Sequence, residues 1–195
     1  LMSSYRYRFV GCEKLPAGLN ADDVQLHCRL PPRLISAIQS SNYGKRYYLG
    51  LAVQLSFVAR TGRNPDGKLR MPPEMLRMLC GQLNISATAI ASLKALYQNA
   101  DRTLANHRAW VREKLGLAAY DTSAEERLRA ALSQQAIDAA SVDEVFNSAE
   151  QWLFDNKIVL PGKRHLQDLA RSAFRVVEEL ALTTIRAAVT PVRLR

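Results

Sequence analysis

The chain has 195 residues, of which 48% are hydrophobic and 23% charged, so it is long enough for a full core and has the composition of a globular protein. Its net charge of +9 favours polyanionic partners such as nucleic acid or an acidic membrane surface. Three widely spaced cysteines, with no apolar leader before them, argue against a disulfide framework and favour free thiols in a reducing cytoplasm.

The charge is distributed in blocks along the chain. Residues 1–66 and 67–116 each carry a net charge of +5, residues 117–160 carry −5, and residues 161–195 carry +4. This pattern suggests that one side of the molecule faces a polyanion and that the acidic block lies elsewhere. Chance clustering on solvated helix faces is the alternative. The three histidines are scattered without a second ligand at zinc spacing, so no metal site is expected.

The first forty residues predict an arm followed by two short helices. Residues 1–19 begin with alternating aromatic and basic side chains, as in a short strand or an extended arm. Asn20 is the predicted N-cap of a helix over residues 21–29. Pro31 and Pro32 are expected to end that helix and to begin another, which reaches about Ser41.

The stretch from Lys45 to Arg63 is the most distinctive in the chain. Two cations stand near each end, and the thirteen residues between Arg46 and Arg60 are almost all apolar. The run is shorter than the roughly 20 residues that cross a membrane and longer than a typical strand, so it predicts a buried helix. Gly50 belongs to a narrow non-apolar strip, where another element is expected to approach the backbone closely.

A basic loop is predicted after this helix. Residues 64–67, Asn-Pro-Asp-Gly, are a strong turn signal, and four cations surround one acid between residues 60 and 70. The functional interpretation is contact with phosphates or a groove of DNA, and the alternative is an ordinary solvated loop.

Three further helices are predicted over residues 73–83, 87–96 and 101–115. The last is basic, with a predicted buried stripe of Leu104, Val111 and Leu115, while Arg108, Arg112 and His107 occupy its other sides. A short helix followed by a helix with a cationic exposed face is typical of a helix-turn-helix recognition element. A solvated amphipathic helix is the alternative.

The remainder of the chain is predicted to be scaffold. Helices over residues 124–139, beginning at Ser123, and 142–155, capped by Ser141, hold the acidic block. An extended connection over residues 157–162 leads to a long helix over residues 163–188 with a continuous apolar stripe. No glycine-rich phosphate loop, nucleophile elbow or catalytic constellation is present, so neither an enzyme nor a cofactor is predicted.

Three segments, in order, resemble the N-terminal region of the large transposases of class II (Tn-three-type) bacterial transposons. The first is Leu49 to Leu55, Leu-Gly-Leu-Ala-Val-Gln-Leu, followed by Gly62-Arg63. The second consists of four residues at the family's spacing: Thr103, His107, Arg112 and Gly116. The third is Lys157 to Gly162, Lys-Ile-Val-Leu-Pro-Gly, before a long helix.

The resemblance implies an all-helical region that binds the terminal inverted repeats of a transposon. In that family the strand-transfer chemistry lies in a later acidic-triad domain. The expected partners are therefore double-stranded DNA and the rest of a transposase chain, with no membrane and no small-molecule substrate, in a bacterial cytoplasm at the nucleoid. The alternative is a helical protein-interaction module that uses the long C-terminal helix and the acidic block.

Together these interpretations predict an all-α fold of two helix-turn-helix-like lobes, residues 1–85 and 86–160, joined by a long C-terminal helix over residues 161–195. The basic elements of both lobes are expected to contact DNA. The predicted DNA-binding residues are Lys45, Arg46, Arg60, Arg63, Lys68, Arg70, Arg102, His107, Arg108, Arg112, Lys163 and Arg164.

Overall fold

The computed structural model describes residues 8–189, with side chains described through residue 187. The aromatic and basic residues at the start of the predicted arm, Tyr5 to Tyr7, lie outside these residues. Within the described part, the extended pairing is a single parallel bridge between Ala118 and Ile158, and the remaining regular structure is helical. The predicted all-α class is confirmed.

The helices follow one another through short connections, and a 3-10 turn, Lys45–Tyr47, leads into the third. Their bounds are α1 Ala21–Cys28, α2 Pro32–Gln39, α3 Tyr48–Thr61, α4 Pro73–Leu83, α5 Ala89–Leu93, α6 Asp101–Leu115, α7 Thr122–Gln135, α8 Val142–Asp155 and α9 Lys163–Val189. The predicted helix over residues 87–96 is therefore only the short α5, with turns on both sides.

Local sequence determines most of these boundaries. The Asn20 side chain accepts a hydrogen bond from Asp23 N at 2.8 Å, and that of Ser141 accepts one from Glu144 N at 3.2 Å, as predicted for N-caps. The cap of α7 is Asp121, whose carboxylate accepts from Ala124 N at 2.8 Å. The helix therefore begins before Ser123, because the earlier acid satisfies the free amide.

The central helix α3 is buried on every side from Leu49 to Val58, with α1, α2, α4, α5 and α6 packed around it. The expected close approach at Gly50 is confirmed, and the approaching segment is the turn after α5. A Cβ atom at Gly50 would lie 2.4 Å from Leu96 Cδ2 and 3.0 Å from the Tyr97 hydroxyl oxygen. A larger residue would therefore force this turn away from α3.

The described residues form two hydrophobic cores. The first surrounds α3 and runs from Phe9 to Val111, and the second consists of residues from α7, α8, the 158–160 segment and the first half of α9. We call residues 9–117 the first lobe and residues 120–177 the second lobe. The predicted boundary after residue 85 runs inside the first core, because Leu93, Tyr97 and Val111 belong to it. Division into independent domains stays a prediction.

The long helix α9 packs on α7 and α8, and its first half belongs to the second core. Its apolar side chains are buried at Leu166, Leu169 and Ala170, whereas Val176 and those from Leu180 onward are exposed. Among the described residues, no helix has both the length and the hydropathy that crossing a membrane requires.

Candidate nucleic-acid interface

Seven of the predicted DNA-binding side chains are exposed. These are Lys45, Arg46, Lys68, Arg70, Arg102, Lys163 and Arg164. Arg112, on α6, is half-buried. Within the part of the chain that the structure describes, none of these eight cations forms an ion pair with a carboxylate. Their charge is therefore available to an external anion, as phosphate binding requires.

A groove beside the start of α6 brings several of these cations together. Its lining includes Lys68 and Arg70, from the loop before α4, and Lys94, from the turn after α5. Its volume is about 700 Å³, and its walls are completed by Asp66, Gly67, Tyr97, Gln98, Asp101 and Leu104. We call this feature the α6 groove. Sequence reasoning missed Lys94, because only the tertiary packing around α5 brings it into the same groove as the loop.

The other flank of α6 combines cations with aromatic rings. The Arg46 guanidinium lies 4.6 Å from the centre of the Tyr47 ring, and Lys114 Nζ lies 5.8 Å from that of Trp110. The Tyr43 ring centre lies 6.1 Å from that of Trp110 and 4.2 Å from that of His107, whose ring also contacts Tyr47. We call this feature the aromatic flank. The charged groups themselves lie over the rings, and each has a further partner. Arg46 Nη2 donates to the Tyr47 hydroxyl at 2.7 Å, and Lys114 Nζ forms an ion pair with Glu113 Oε1 at 2.7 Å.

The structure corrects the interpretation of His107. Its side chain is fully buried and forms part of the inward stripe of α6 with Val111, so it does not lie on the surface predicted to contact DNA. The Tyr97 hydroxyl lies 2.7 Å from His107 Nδ1 and accepts a hydrogen bond from Gln54 Nε2 at 2.8 Å. Burial lowers the pKa of His107 to about 4, so the imidazole is neutral at physiological pH.

Arg60 and Arg108 are half-buried and bonded to backbone carbonyls. Arg60 Nε donates to the His27 carbonyl, and Arg108 Nη2 donates to the Pro65 carbonyl at 2.9 Å. Burial also lowers the pKa of Arg108. The predicted role of Arg108 as a reader of base edges needs an exposed guanidinium, whereas this one ties the basic loop to α6.

Arg63 is buried as well, and it corrects the prediction that both ends of α3 present cations to DNA. Only 5% of the residue is exposed. Its Nε donates to the Gly11 carbonyl at 2.9 Å, Nη1 donates to the Pro161 carbonyl, and Nη2 forms an ion pair with Glu150 Oε1 at 2.6 Å. Every branch of the guanidinium is thus used inside the protein, and we remove Arg63 from the candidate interface.

The described residues contain no group of three or more His, Cys, Asp or Glu side chains that could hold a metal ion. Burial raises the pKa of the thiols of Cys12, Cys28 and Cys80, which makes each a weaker nucleophile at neutral pH. Within the described part of the chain, several exposed cations without a carboxylate partner lie near α6, and such a surface is suited to binding an extended anion.

The fold and this surface define an all-helical module with exposed cations around α6. The chain belongs to the protein family described as "Domain of unknown function (DUF4158)", which matches residues 12–173. It is also similar to the transposase for insertion sequence element IS1071 in transposon Tn5271 of Comamonas testosteroni, with 27% identity over 195 residues. The alignment covers 99% of this chain and 20% of that transposase, so the chain spans about one fifth of that relative's length.

Proposed function

We propose that this chain is a DNA-binding part of a Tn-three-type transposase and that it binds double-stranded DNA at the terminal inverted repeats of the transposon. The observation that carries the proposal is the set of exposed, unpaired cations around α6, in a chain similar to one fifth of a transposase. In this role the chain carries no catalysis of its own, and strand transfer belongs to another part of the parent protein.

The mode of binding follows from where the cations lie. The α6 groove and the aromatic flank border the same helix, so a duplex laid against α6 meets cations on both flanks. Lysine and arginine side chains neutralise phosphates and set the register, while short side chains allow close approach to the bases. The exposed face of α6 contains Ala105, Asn106 and Ala109 between Arg102 and Arg112, which suits a helix entering the major groove.

The decisive experiment is a footprint of this chain on duplexes that carry the terminal sequences of the transposon encoding it, against scrambled duplexes. We expect protection of the terminal sequence alone at moderate salt. If roughly six to ten phosphates are neutralised, the affinity falls by about three to five orders of magnitude between 50 and 200 mM salt. Equal protection of both duplexes, or an affinity independent of salt, contradicts the proposal.

A tryptophan reporter locates the contact. Trp110 lies on the aromatic flank, and Trp152 lies in the second lobe against its core. In a Trp152→Phe variant, only Trp110 remains, and we expect DNA to change its fluorescence. The matched Trp110→Phe variant retains Trp152, whose fluorescence should not respond. The opposite pattern would place the contact on the second lobe.

A protein-interaction role is the second candidate, and one specific observation favours it. The second half of α9 exposes four large apolar side chains, each more than half accessible: Val176, Leu180, Leu182 and Ile185. Exposed apolar side chains of this size are typical of a helix that another protein covers. Under this interpretation, Leu180→Glu abolishes the main activity, whereas an Arg102→Ala and Arg112→Ala double variant retains it.

A further inference from the structure

We propose that Arg63 is a positioning residue that holds the two lobes in one relative orientation, and thereby fixes the spacing of the DNA contacts made by each. The inference rests on the proposed function for its consequence in DNA binding. Its structural half concerns the junction between the lobes and can be tested without DNA.

The contacts of Arg63 join three separate parts of the chain. The residue follows the C-cap of α3 in the first lobe, and its guanidinium reaches Gly11, Glu150 of α8 and Pro161 at the entry to α9. The side chains of Arg63 and Glu150 are 6% and 10% exposed, so the ion pair is almost completely shielded from water. A planar guanidinium with three acceptors in fixed directions permits only a narrow range of relative positions.

Backbone hydrogen bonds also join the two lobes near Arg63. Leu160 N donates to the Gly62 carbonyl at 2.8 Å, and Ala118 N donates to the Lys157 carbonyl at 2.8 Å. Within the described residues, the extensive helix–helix packing lies inside each lobe. The apolar contacts at the junction are local, with the Leu160 and Phe154 side chains against Gly62. A directional polar anchor therefore adds a constraint on the orientation of the lobes that this packing alone does not supply.

Glycines make room for this anchor. Gly11 has a φ of +77°, and a Cβ atom there would lie 1.9 Å from Glu150 Oε2. Gly62 has a φ of +71°, and its Cβ would lie 2.5 Å from Leu160 Cδ1. Both backbones therefore approach the second lobe at a distance that side chains would prevent.

A buried ion pair is a weak source of stability, because desolvating two charges offsets most of their attraction. Its best-supported role is to select one arrangement among several that packing alone would tolerate. An apolar pair of similar volume can preserve the stability of such a junction but has no directional preference. A variant with such an apolar pair is therefore expected to keep the stability of the protein but to lose the fixed orientation of the two lobes.

The Arg63 anchor connects two groups of exposed cations, one in each lobe. Pro161 directly precedes Gly162 and the exposed cations Lys163 and Arg164 at the start of α9, whereas the α6 groove and the aromatic flank belong to the first lobe. Fixing Pro161 to the end of α3 fixes the distance between these two groups of cations. When two linked sites must engage one duplex, their affinity depends on whether they are held at the matching spacing.

The structural test is a distance measurement between spin labels on the two lobes. Cysteines at the exposed positions Ser92 and Gln134 carry the labels, Cys12 is changed to Ser, and the buried Cys28 and Cys80 remain unlabelled. We expect a single narrow distance distribution for this parent. The Arg63→Met and Glu150→Leu double variant should give a broad distribution while keeping a cooperative unfolding transition. Arg63→Lys, which retains one charge but not three directed donors, should be intermediate.

The matched control is Arg171→Met, which removes one partner of an exposed ion pair with Asp168 and should leave the distribution unchanged. A narrow, parent-like distribution in the folded double variant overturns the positioning role. If that variant does not fold, Arg63→Lys decides the question, because a parent-like distribution in that variant also overturns it.

The DNA half of the inference is tested on the footprinted duplex. We expect the double variant to lose about tenfold or more in affinity, with protection at one end of the site weakened relative to the other. A broad distance distribution with unchanged affinity and footprint overturns this half alone. Absence of sequence-selective binding by the parent instead contradicts the proposed function, and the distance measurement still decides the role of Arg63.

Discussion

The two ends of α3 carry similar cations in the sequence and place them in opposite surroundings. At the N-terminal end, Lys45 and Arg46 are exposed, and Arg46 rests on the Tyr47 ring. At the C-terminal end, Arg60 and Arg63 are drawn inward and donate to backbone carbonyls. The N-terminal end of α3 follows a solvent-exposed turn, whereas its C-terminal end contacts the second lobe.

The difference shows that a cation next to an apolar run is not necessarily a surface charge. At the C-terminal end, Gly62 takes a left-handed conformation that turns the chain against Leu160, and this turn directs Arg63 toward Glu150. At the N-terminal end, the buried basic group is the neutral His107, which contacts Tyr47 from α6. The C-terminal end of α3 thus has a buried charge, Arg63, that is paired with an opposite charge. The buried group near the N-terminal end, His107, is uncharged.

The largest expected effect on stability comes from breaking the buried ion pair between Arg63 and Glu150. Arg63→Ala leaves the Glu150 carboxylate buried and unpaired, and we expect a loss of about 3–5 kcal/mol in the free energy of unfolding. Urea denaturation followed by circular dichroism measures it. Arg171→Ala, in an ion pair whose partners are 60% and 59% exposed, should change stability by less than about 0.5 kcal/mol. A cost below about 1 kcal/mol for Arg63→Ala would show that the pair is not shielded as described.

The next largest effect on stability is expected at Gly62, at the C-terminal end of α3. A comparison with Gly116 distinguishes backbone strain from close packing there. Gly62→Ala meets Leu160 and also forces alanine into a φ of +71°, so we expect a loss of about 2–4 kcal/mol. Gly116, at the end of α6, has a φ of +64° with no atom within 4 Å of its Cβ position. Gly116→Ala should therefore cost only the strain, about 1–2 kcal/mol. Equal losses in thermal unfolding of the two variants would contradict the close approach at Gly62.

The uncharged interior near the N-terminal end predicts a dependence of stability on pH. The pKa of His107 is lowered from 6.5 to about 4, so between these values the unfolded chain binds a proton that the folded chain does not. Stability therefore falls as the pH falls from 6.5 toward 4, by up to about 3 kcal/mol, and this contribution levels off below pH 4.

The readout is the difference between wild type and His107→Gln in urea denaturation at several pH values. Carboxylates that titrate below pH 5 affect both proteins, so subtraction isolates the imidazole. We expect the stability advantage of wild type to shrink through this window. A constant difference from pH 7 to pH 4 would mean that His107 is accessible to protons in the folded protein.

Local patterns predicted much of the fold. The length and apolar content of residues 47–59 predicted α3, and Asn20 and Ser141 were recognised as caps because a cap depends on neighbours only three residues away. Asp121 was missed as the cap of α7, since Ser123 offered a similar signal two residues later. The extended connection over residues 157–162 also follows from its local sequence.

The candidate site was less predictable, because exposure depends on tertiary contacts. Arg63 and Glu150 are separated by 87 residues, and no local pattern indicates that they meet. The burial of His107 could have been predicted from the sequence. His107 lies four residues before Val111, which was correctly predicted to be buried, so both side chains are on the inward face of α6. Lys94 gave no such signal, because its place in the α6 groove depends on the turns around α5.

The smallest expected change in stability concerns the exposed end of α3, where the predicted effect appears in DNA binding instead. Lys45→Ala with Arg46→Ala removes two solvated cations, and stability should change by no more than about 0.5 kcal/mol. If both cations contact phosphates, the slope of log affinity against log salt becomes less steep by about 1.8, since each phosphate contact contributes roughly 0.9.

Fluorescence anisotropy of a labelled duplex at several salt concentrations measures this slope. The matched double variant is Arg127→Ala with Lys157→Ala, which removes two exposed cations from the acidic block and should leave the slope unchanged. An equal reduction in both variants would indicate a response to net charge alone. A reduction confined to the Lys45 and Arg46 variant would assign the exposed end of α3 to the DNA, and would leave its buried end to the junction between the lobes.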